Sequence, residues 1–335
     1  MTNVSSSRPA WPADPVAEFY SGKTVKVLVG FGTGGGYDLY ARTLAHHMGR
    51  HIPGNPAFVV QNMPGAGSLK AVNYLYSVAP KDGTVLATFA RGIVVEPLLS
   101  RTEGTQFDAA KFTWIGSIAN EVSVCAFHSG SGIKTWRDMQ TKNTVIGASG
   151  SGADSDVFPT VLRNMFHLPM KIVAGYSGGA DLVLAMERRE IDGRCGWSWT
   201  SLLSRNKALL TTGQINVTLQ LALTKHEDLS AVPLVMDLID DPNEKAALRL
   251  ITSRQSIARP FAAPPGIPAN LARALRDAFD ATMKDADFLA EAKQLDLEVR
   301  PIAGVEVEAL INDIYASPPP IVKRASQVLK DAPSA

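Results

Sequence analysis

The sequence predicts an α/β protein built as two doubly wound lobes that face one another across a cleft, and three observations lead there. Short runs rich in β-branched residues alternate with stretches of helical periodicity. Glycine-dense loops stand at the joins, at residues 30–36, 62–68, 147–152 and 175–179. The order strand, glycine loop, helix is written in the first half of the chain and again in the second, so each half supplies a small parallel sheet of its own. Loops that follow parallel strands gather at the carboxyl edge of a sheet, which is where such folds open a crevice for a ligand.

Taken in order, residues 1–23 read as an irregular lead-in. A first strand is expected at 24–29 (TVKVLV), followed by the loop GFGTGGGYD at 30–38. The helix after it carries Tyr37, Tyr40, Ala41, Leu44, Met48 and Ile52 at three- and four-residue spacing, one apolar face. A second strand at 57–61 leads through Asn62-Met63-Pro64-Gly65-Ala66-Gly67-Ser68 into a helix at 69–77. Pro80-Lys81-Asp82-Gly83 has the chemistry of a turn and precedes a third strand at 84–89. Arg91 follows that strand, so a parallel sheet sets its charge at the same edge as the first loop.

Residues 112–127 are strand-like, and then the grammar resumes. A strand at 144–146, a loop at 147–152 and a helix at 154–166 come first; a strand at 171–174, a loop at 175–179, a helix at 180–189 and a strand at 191–197 follow. Beyond residue 248 the sequence suggests a strand at 250–252, a loop at 262–268, helices at 269–284 and 285–295, and terminal helices returning to the first lobe. Ser317-Pro318-Pro319-Pro320 breaks the chain before a short final helix.

The 335 residues, 45% of them hydrophobic, supply cores for about two domains. Thirty-three basic and 32 acidic residues are spread evenly, leaving no basic stripe for nucleic acid. No apolar run reaches the roughly 18 residues of a membrane-spanning helix. The amino terminus lacks the apolar centre of a secretion signal, which is compatible with a cytosolic chain or with a signal removed or replaced. Cys125 and Cys195 stand in apolar, strand-like surroundings without CxxC spacing and read as small buried side chains, their pairing open.

The chemistry centres on the first loop. A helix amino terminus presents unpaired backbone N–H groups and the positive end of its dipole, and glycines let an anion approach without meeting a Cβ. Gly30, Gly32 and Gly35 also satisfy GxGxxG, so a nucleotide-dependent α/β enzyme is the alternative. That fingerprint wants an acidic residue about 20 positions on, and Gln61-Asn62 occupies the place. Gly175-Tyr176-Ser177-Gly178-Gly179 fits GxSxG, which would make Ser177 a nucleophile, with His226 as the one histidine left downstream. His47 and His51, four apart with His46 beside them, have metal-compatible spacing but no evident third ligand, so no metal or cofactor is expected. Asp38 suits the dipole of the first helix and could also accept a ligand hydroxyl. Tyr37, Tyr176, Trp197 and Trp199 are candidates for cleft walls or for core.

Several of these segments, in series, resemble the solute-binding receptors of tripartite tricarboxylate transporters, the Bug-type proteins. Residues 31–38 are similar to the family's proline-glycine-glycine loop ending in Asp, and Asn62-Met63-Pro64-Gly65-Ala66-Gly67 to its Asn-x-Pro-Gly-Ala-Gly segment. Ala79-Pro80-Lys81-Asp82-Gly83 resembles its Pro-Asp-Gly turn, and residues 147–152 its second-lobe glycine loop. Tyr176-Ser177-Gly178-Gly179-Ala180 resembles its Tyr-x-Gly-Ala-Ala element, and residues 263–268 its Ala-Pro-x-Gly-x-Pro turn.

The resemblance implies a type II, Venus-flytrap, periplasmic-binding-protein-like fold. Lobe 1 would comprise 24–120 and 250–335, and lobe 2 residues 121–249. It implies a periplasmic, monomeric, non-enzymatic receptor without cofactor that captures a small organic carboxylate and delivers it to the membrane permease subunits of a tripartite transporter. Ligand contacts carried over by position are Thr33, Gly34, Gly35, Gly36, Tyr37 and Asp38 in one lobe and Ser149, Gly150, Ser151, Gly152 and Ala153 in the other, with Arg91, Tyr176, Ser177 and Gly178 beside them. The chain departs from the pattern at Thr33 (usually proline), at Tyr37 (commonly a small hydroxyl residue), at Ala153 and Asp156 (often serine and histidine) and at Arg91 (commonly small and polar). These departures point to a larger or aromatic carboxylate. A solute sensor that feeds a signalling partner is a third class.

Overall fold

The computed structural model describes residues 14–99, 104–150 and 152–330. Its strands are β1 (Thr24–Val29), β2 (Ala57–Asn62), β3 (Val85–Thr88), β4 (Thr113–Ser117), β5 (Ser123–His128), β6 (Thr144–Ala148), β7 (Met170–Ala174), β8 (Gly193–Ser198), β9 (Ile215–Leu221), β10 (Pro260–Ala263) and β11 (Ile302–Ala303). They form a six-stranded sheet in the order β11-β4-β10-β3-β1-β2 and a five-stranded sheet in the order β7-β6-β8-β5-β9.

The two sheets share a plan. β1 pairs in parallel with β2 and β3, as β6 does with β7 and β8. Beside each parallel trio lies an antiparallel strand, β10 against β3 and β5 against β8. The sheets are therefore mixed where the sequence suggested purely parallel ones. The cause is the route of the chain: residues 118–122 carry it from β4 in one sheet to β5 in the other, and residues 253–259 bring it back to β10. The strand-like stretch 112–127 is thus two strands in different sheets. The crossovers run side by side, joined by Ile118 N–H to Arg259 O (3.1 Å), Ala258 N–H to Ala119 O (3.0 Å) and Glu121 N–H to Gln255 O (3.1 Å).

Alternation along β1 explains why helices cover both faces of the first sheet. Val25, Val27 and Val29 join Tyr40, Leu44 and Met48 of the helix Gly36–Met48, while Leu28 points to the opposite core with Leu69, Val72 and Leu75. Each such side chain, fully buried, contributes about 1.5–3 kcal/mol.

Four expectations are corrected. Residues 250–252 end the helix Pro242–Thr252, because Asp241 accepts from Asn243 N–H and Glu244 N–H, Pro242 suits the first turn, and Ala247, Leu248 and Ile251 bury one helical face. The strand of that region is β10, which includes Ala262 and Ala263 of the presumed loop. The lead-in contains a helix, Pro15–Tyr20, capped by Asp14 and anchored where Tyr20 O–H donates to Gly83 O (3.0 Å). The final helix, Pro319–Leu329, packs on the helices Asp154–Met165 and Pro242–Thr252. There Asn164 Nδ2 donates to Val328 O (2.7 Å), while Ser326 Oγ reaches Leu99 O (2.8 Å) beside the first sheet.

Cys125 and Cys195, read as small buried side chains with their pairing open, form a disulfide between β5 and β8. Their neighbourhood follows from strand pairing across 70 residues, which no local spacing announces.

Candidate functional site

The carboxyl ends of β1, β3, β6 and β8 meet between the lobes, and helices start from three of these edges: Gly36–Met48, Asp154–Met165 and Trp199–Thr211. A further helix, Gly179–Glu187, begins there after β7. The N-cap residues Gly35, Ala153 and Gly178 provide no side-chain cap. Three positive dipole ends thus lack the hydrogen-bond acceptor that usually closes them, an arrangement that favours an anion. The cavity they border has a volume of about 490 Å³ and takes its lining from both lobes. Close approach requires glycine at Gly36, where a Cβ would collide with Ser201 Oγ across the cleft. At Gly34, φ of +80° lies in the left-handed region.

The floor of the cavity is a buried network of opposite charges. The side chain of Glu121, on the first crossover, has 0% exposure and pairs with Arg259 (2.8 Å) and Arg91 (3.3 Å). It also accepts from Ser198 O–H and Thr200 N–H. Arg91 Nε donates to Asp154 Oδ2 (2.6 Å) and its Nη2 to Ser123 Oγ (2.7 Å). Burial alone would lower the Arg91 pKa, but Asp154 and Glu121 hold it above the ordinary arginine value. Arg259 lies over the rings of Tyr37 and Tyr40, 4.8 Å from each centroid, and donates to Ser198 and Ser201.

Arg194, on β8 in the wall of the second lobe, is different. It is 7% exposed, donates from Nη1 to Gly179 O (3.0 Å) and lies 4.7 Å over the Trp197 ring, while its Nε has no partner. Among the described residues no carboxylate stands within ion-pair distance of it. Burial alone pushes its pKa down to about 9. A desolvated cation without a counter-ion is unfavourable by several kcal/mol, and a bound carboxylate would offset that directly. Arg205, exposed at the rim, reaches across from the second lobe to donate from Nε to Gly34 O (3.1 Å). Sequence reading missed Arg194; the available signal was a lone basic residue inside an otherwise apolar central strand.

Of the residues expected to touch a ligand, Gly34, Gly35, Gly36, Tyr37, Arg91, Ser149 and Ala153 line the cavity. Tyr37 stacks on Phe31 (4.8 Å), and its hydroxyl accepts from Arg91 N–H (3.0 Å). Trp197 also lines the cavity, whereas Trp199 lies elsewhere, its Nε1 donating to Asp228 (3.4 Å). Thr33 is exposed and is not part of the lining. Asp38 is buried behind the loop, where it accepts from Gly34 N–H (3.0 Å), Asn62 Nδ2 (2.9 Å) and Arg42 (2.9 Å). Burial raises its pKa, but these hydrogen bonds lower it further, leaving the carboxyl below the ordinary range and fixed as a loop clamp.

Of the other predicted residues, Ser177, Gly178 and Gly150 face the opposite lobe instead of the cavity. Gly32 N–H donates to Ser177 O (3.0 Å), and Gly178 packs on Phe31. Gly150 lies against Ala66 and Gly67, and Gly152 O accepts from Arg254 (3.4 Å). Tyr176 is outside the lining, and Ser151 lies outside the described residues. The Ser177 hydroxyl is hydrogen-bonded to Asp181, while the His226 ring lies edge-on to Trp199 and its Nδ1 accepts from Asp228 N–H (3.1 Å). Among the described residues no triad forms at the GxSxG turn.

No family model matches the chain. It is 23% identical over 272 residues to a UPF0065 protein of Bordetella pertussis, a match covering 78% of this chain and 77% of that one. A UPF0065 protein of Cupriavidus necator is 32% identical over 92 residues, 28% of this chain and 27% of that one. Among solved structures, the periplasmic binding protein BugD superposes with a TM-score of 0.74 at 18% identity, covering 92% of this chain and 98% of that one. MatC of Rhodopseudomonas palustris, with bound malate, gives 0.70 at 17% identity over 92% and 99%. An R. palustris protein with adipate gives 0.71 at 17% over 95% and 98%. The fold is that of the two-lobed periplasmic binding proteins, and the Bug-type resemblance read from the loops agrees with the likeness in fold to BugD.

Proposed function

We propose that this chain, a relative of the UPF0065 proteins with the fold of the Bug-type receptors, is a non-enzymatic solute-binding receptor that captures an organic carboxylate between its lobes. The observation that carries the reading is Arg194, a buried guanidinium on the cavity wall with no carboxylate partner among the described residues, ringed by uncapped helix amino termini. A carboxylate would accept charge-assisted hydrogen bonds from it and from backbone N–H groups at once. Tyr37, Phe31 and Trp197 offer flat walls, and about 490 Å³ accommodates a ligand larger than a simple C4 acid, which supports an aromatic or longer carboxylate. MatC and the R. palustris neighbour hold malate and adipate, ligands of the same chemical class.

Capture proceeds by hinge closure about the paired crossovers 118–122 and 253–259, with the Gly32–Ser177 hydrogen bond as a latch on the closed form. The Cys125–Cys195 disulfide suits an oxidising, extracytoplasmic compartment. The closed receptor, acting as a monomer, hands its solute to the permease subunits of a tripartite transporter. Calorimetric titration with a panel of aliphatic and aromatic carboxylates, beside ATP and NAD, tests the reading. Binding of at least one carboxylate and neither nucleotide is expected; nucleotide binding with no carboxylate signal overturns it.

A further inference from the structure

Away from the cleft, at the carboxyl end of the helix Gly36–Met48, two histidines and a glutamate converge. His46 Nδ1 lies 2.8 Å and His47 Nε2 2.6 Å from the same oxygen, Oε2 of Glu291, which comes from the neighbouring helix Ala286–Gln294. One donor atom from each residue falls within 4.8 Å of the others. We propose that His46, His47 and Glu291 form a binding site for a borderline divalent cation of the zinc type, with solvent completing the coordination at the exposed His46 side.

The donor set is the one such ions take: two imidazole nitrogens and a carboxylate oxygen, with a remaining position for water. The sequence pattern paired His47 with His51 and lacked a third ligand; in the structure His51 turns to Asp285, and the packing of two helices brings Glu291 to His47 and His46 instead. His47 is 4% exposed, its ring is held edge-on by Phe288 at 5.7 Å, and its Nδ1 has no hydrogen-bond partner among the described residues. His46 and Glu291 stay accessible, with side-chain exposures of 72% and 30%. The entry path is therefore open while one ligand is held rigid.

A neighbouring cluster shows what a purely structural arrangement looks like here. Asp285 receives His51 (2.7 Å) and also Arg50, a permanent cation that fills the place a metal would take. Glu291 has no lysine or arginine partner among the described residues. With neutral imidazoles the trio carries one negative charge, and a bound dication would replace two N–H···O contacts to a single oxygen by two N–metal bonds and one O–metal bond, each ring proton moving to the nitrogen turned away from the ion, Nε2 of His46 and Nδ1 of His47. The ion would tie the helix Gly36–Met48 to Ala286–Gln294 on the outer face of the first sheet without entering the cleft.

The test is titration of chelator-stripped full-length protein with zinc sulfate alone, followed by calorimetry and thermal unfolding. One equivalent is expected to bind and raise the melting temperature. His46→Ala, at an exposed position, is expected to weaken binding by at least about tenfold and to cancel the thermal shift. His51→Ala, on the Arg50-filled cluster, is expected to leave both unchanged. Absence of zinc binding by the wild type overturns the proposal, as does unchanged binding in His46→Ala or an equal loss in His51→Ala.

Discussion

The floor and the second-lobe wall of the cleft both present buried arginines, and they teach opposite lessons. On the floor, Arg91 and Arg259 are matched against Asp154 and Glu121, so their charge is spent within the protein and holds the crossovers together. On the wall, Arg194 is just as desolvated but among the described residues meets only a backbone carbonyl and an aromatic face. Net positive charge near a cavity does not identify the ligand contact. What separates an architectural cation from one awaiting a guest is whether the structure already supplies its counter-ion.

The comparison breaks most visibly through Glu121. Glu121→Ala removes the carboxylate shared by Arg91 and Arg259 and leaves buried charge uncompensated, so a loss of about 3–5 kcal/mol in unfolding free energy is expected. Urea denaturation measures it, and a loss under about 1 kcal/mol would show that the floor network is not structural. Arg194→Ala should behave in the opposite sense: stability unchanged or raised, and carboxylate affinity reduced by about 2–3 kcal/mol, the value of a hydrogen bond to a charged group. Calorimetry and a melting curve on the same variant separate the two effects. Retained affinity would assign the carboxylate to the helix termini alone.

A pH series sharpens the contrast further. Arg194, pushed down to about 9 by burial, binds fewer protons than the unfolded chain above that pH, so its unfavourable effect on folding fades as pH rises. Carboxylate affinity should run the other way, holding near neutrality and falling about tenfold per pH unit once above pH 9 as the guanidinium loses its proton. Arg91, held above its ordinary value by Asp154 and Glu121, contributes no such titration. Affinity that stays level through pH 10.5 (about 1.5 units above the inflection) would mean that Arg194 keeps its proton or makes no contact.

The frame of this site was legible where chemistry is local. β1 announces itself by alternation, and the glycines after it by the left-handed and close-packed positions they fill, as at Gly34 and Gly36. β10 was not legible: four residues beginning at Pro260 carry no period, and their pairing depends on a chain that has first crossed to the other lobe and returned. Arg91 was placed correctly at the sheet edge, but its partners Asp154 and Glu121 lie 63 and 30 residues away, so sequence could not say that its charge was already engaged. Arg194 and the Cys125–Cys195 bond depend on the pairing of β5 with β8. Glu291 likewise joins His46 and His47 only across a helix interface 245 and 244 residues apart in sequence.

The smallest effect is expected at the rim. Arg205 is exposed and already donates to Gly34 O, so water screens its charge and a ligand gains little from it. Arg205→Ala should reduce affinity by less than about 1 kcal/mol, with the change falling mainly on the association rate and vanishing at high salt. Stopped-flow binding at two ionic strengths measures both. The same substitution also removes a hydrogen bond that spans the lobes, so a rise in dissociation rate at high salt would reveal a role in holding the cleft closed. If Arg205→Ala instead matches Arg194→Ala in lost affinity, burial is not what sets the strength of the anion contact, and the wall and the rim must act as one clamp on the guest.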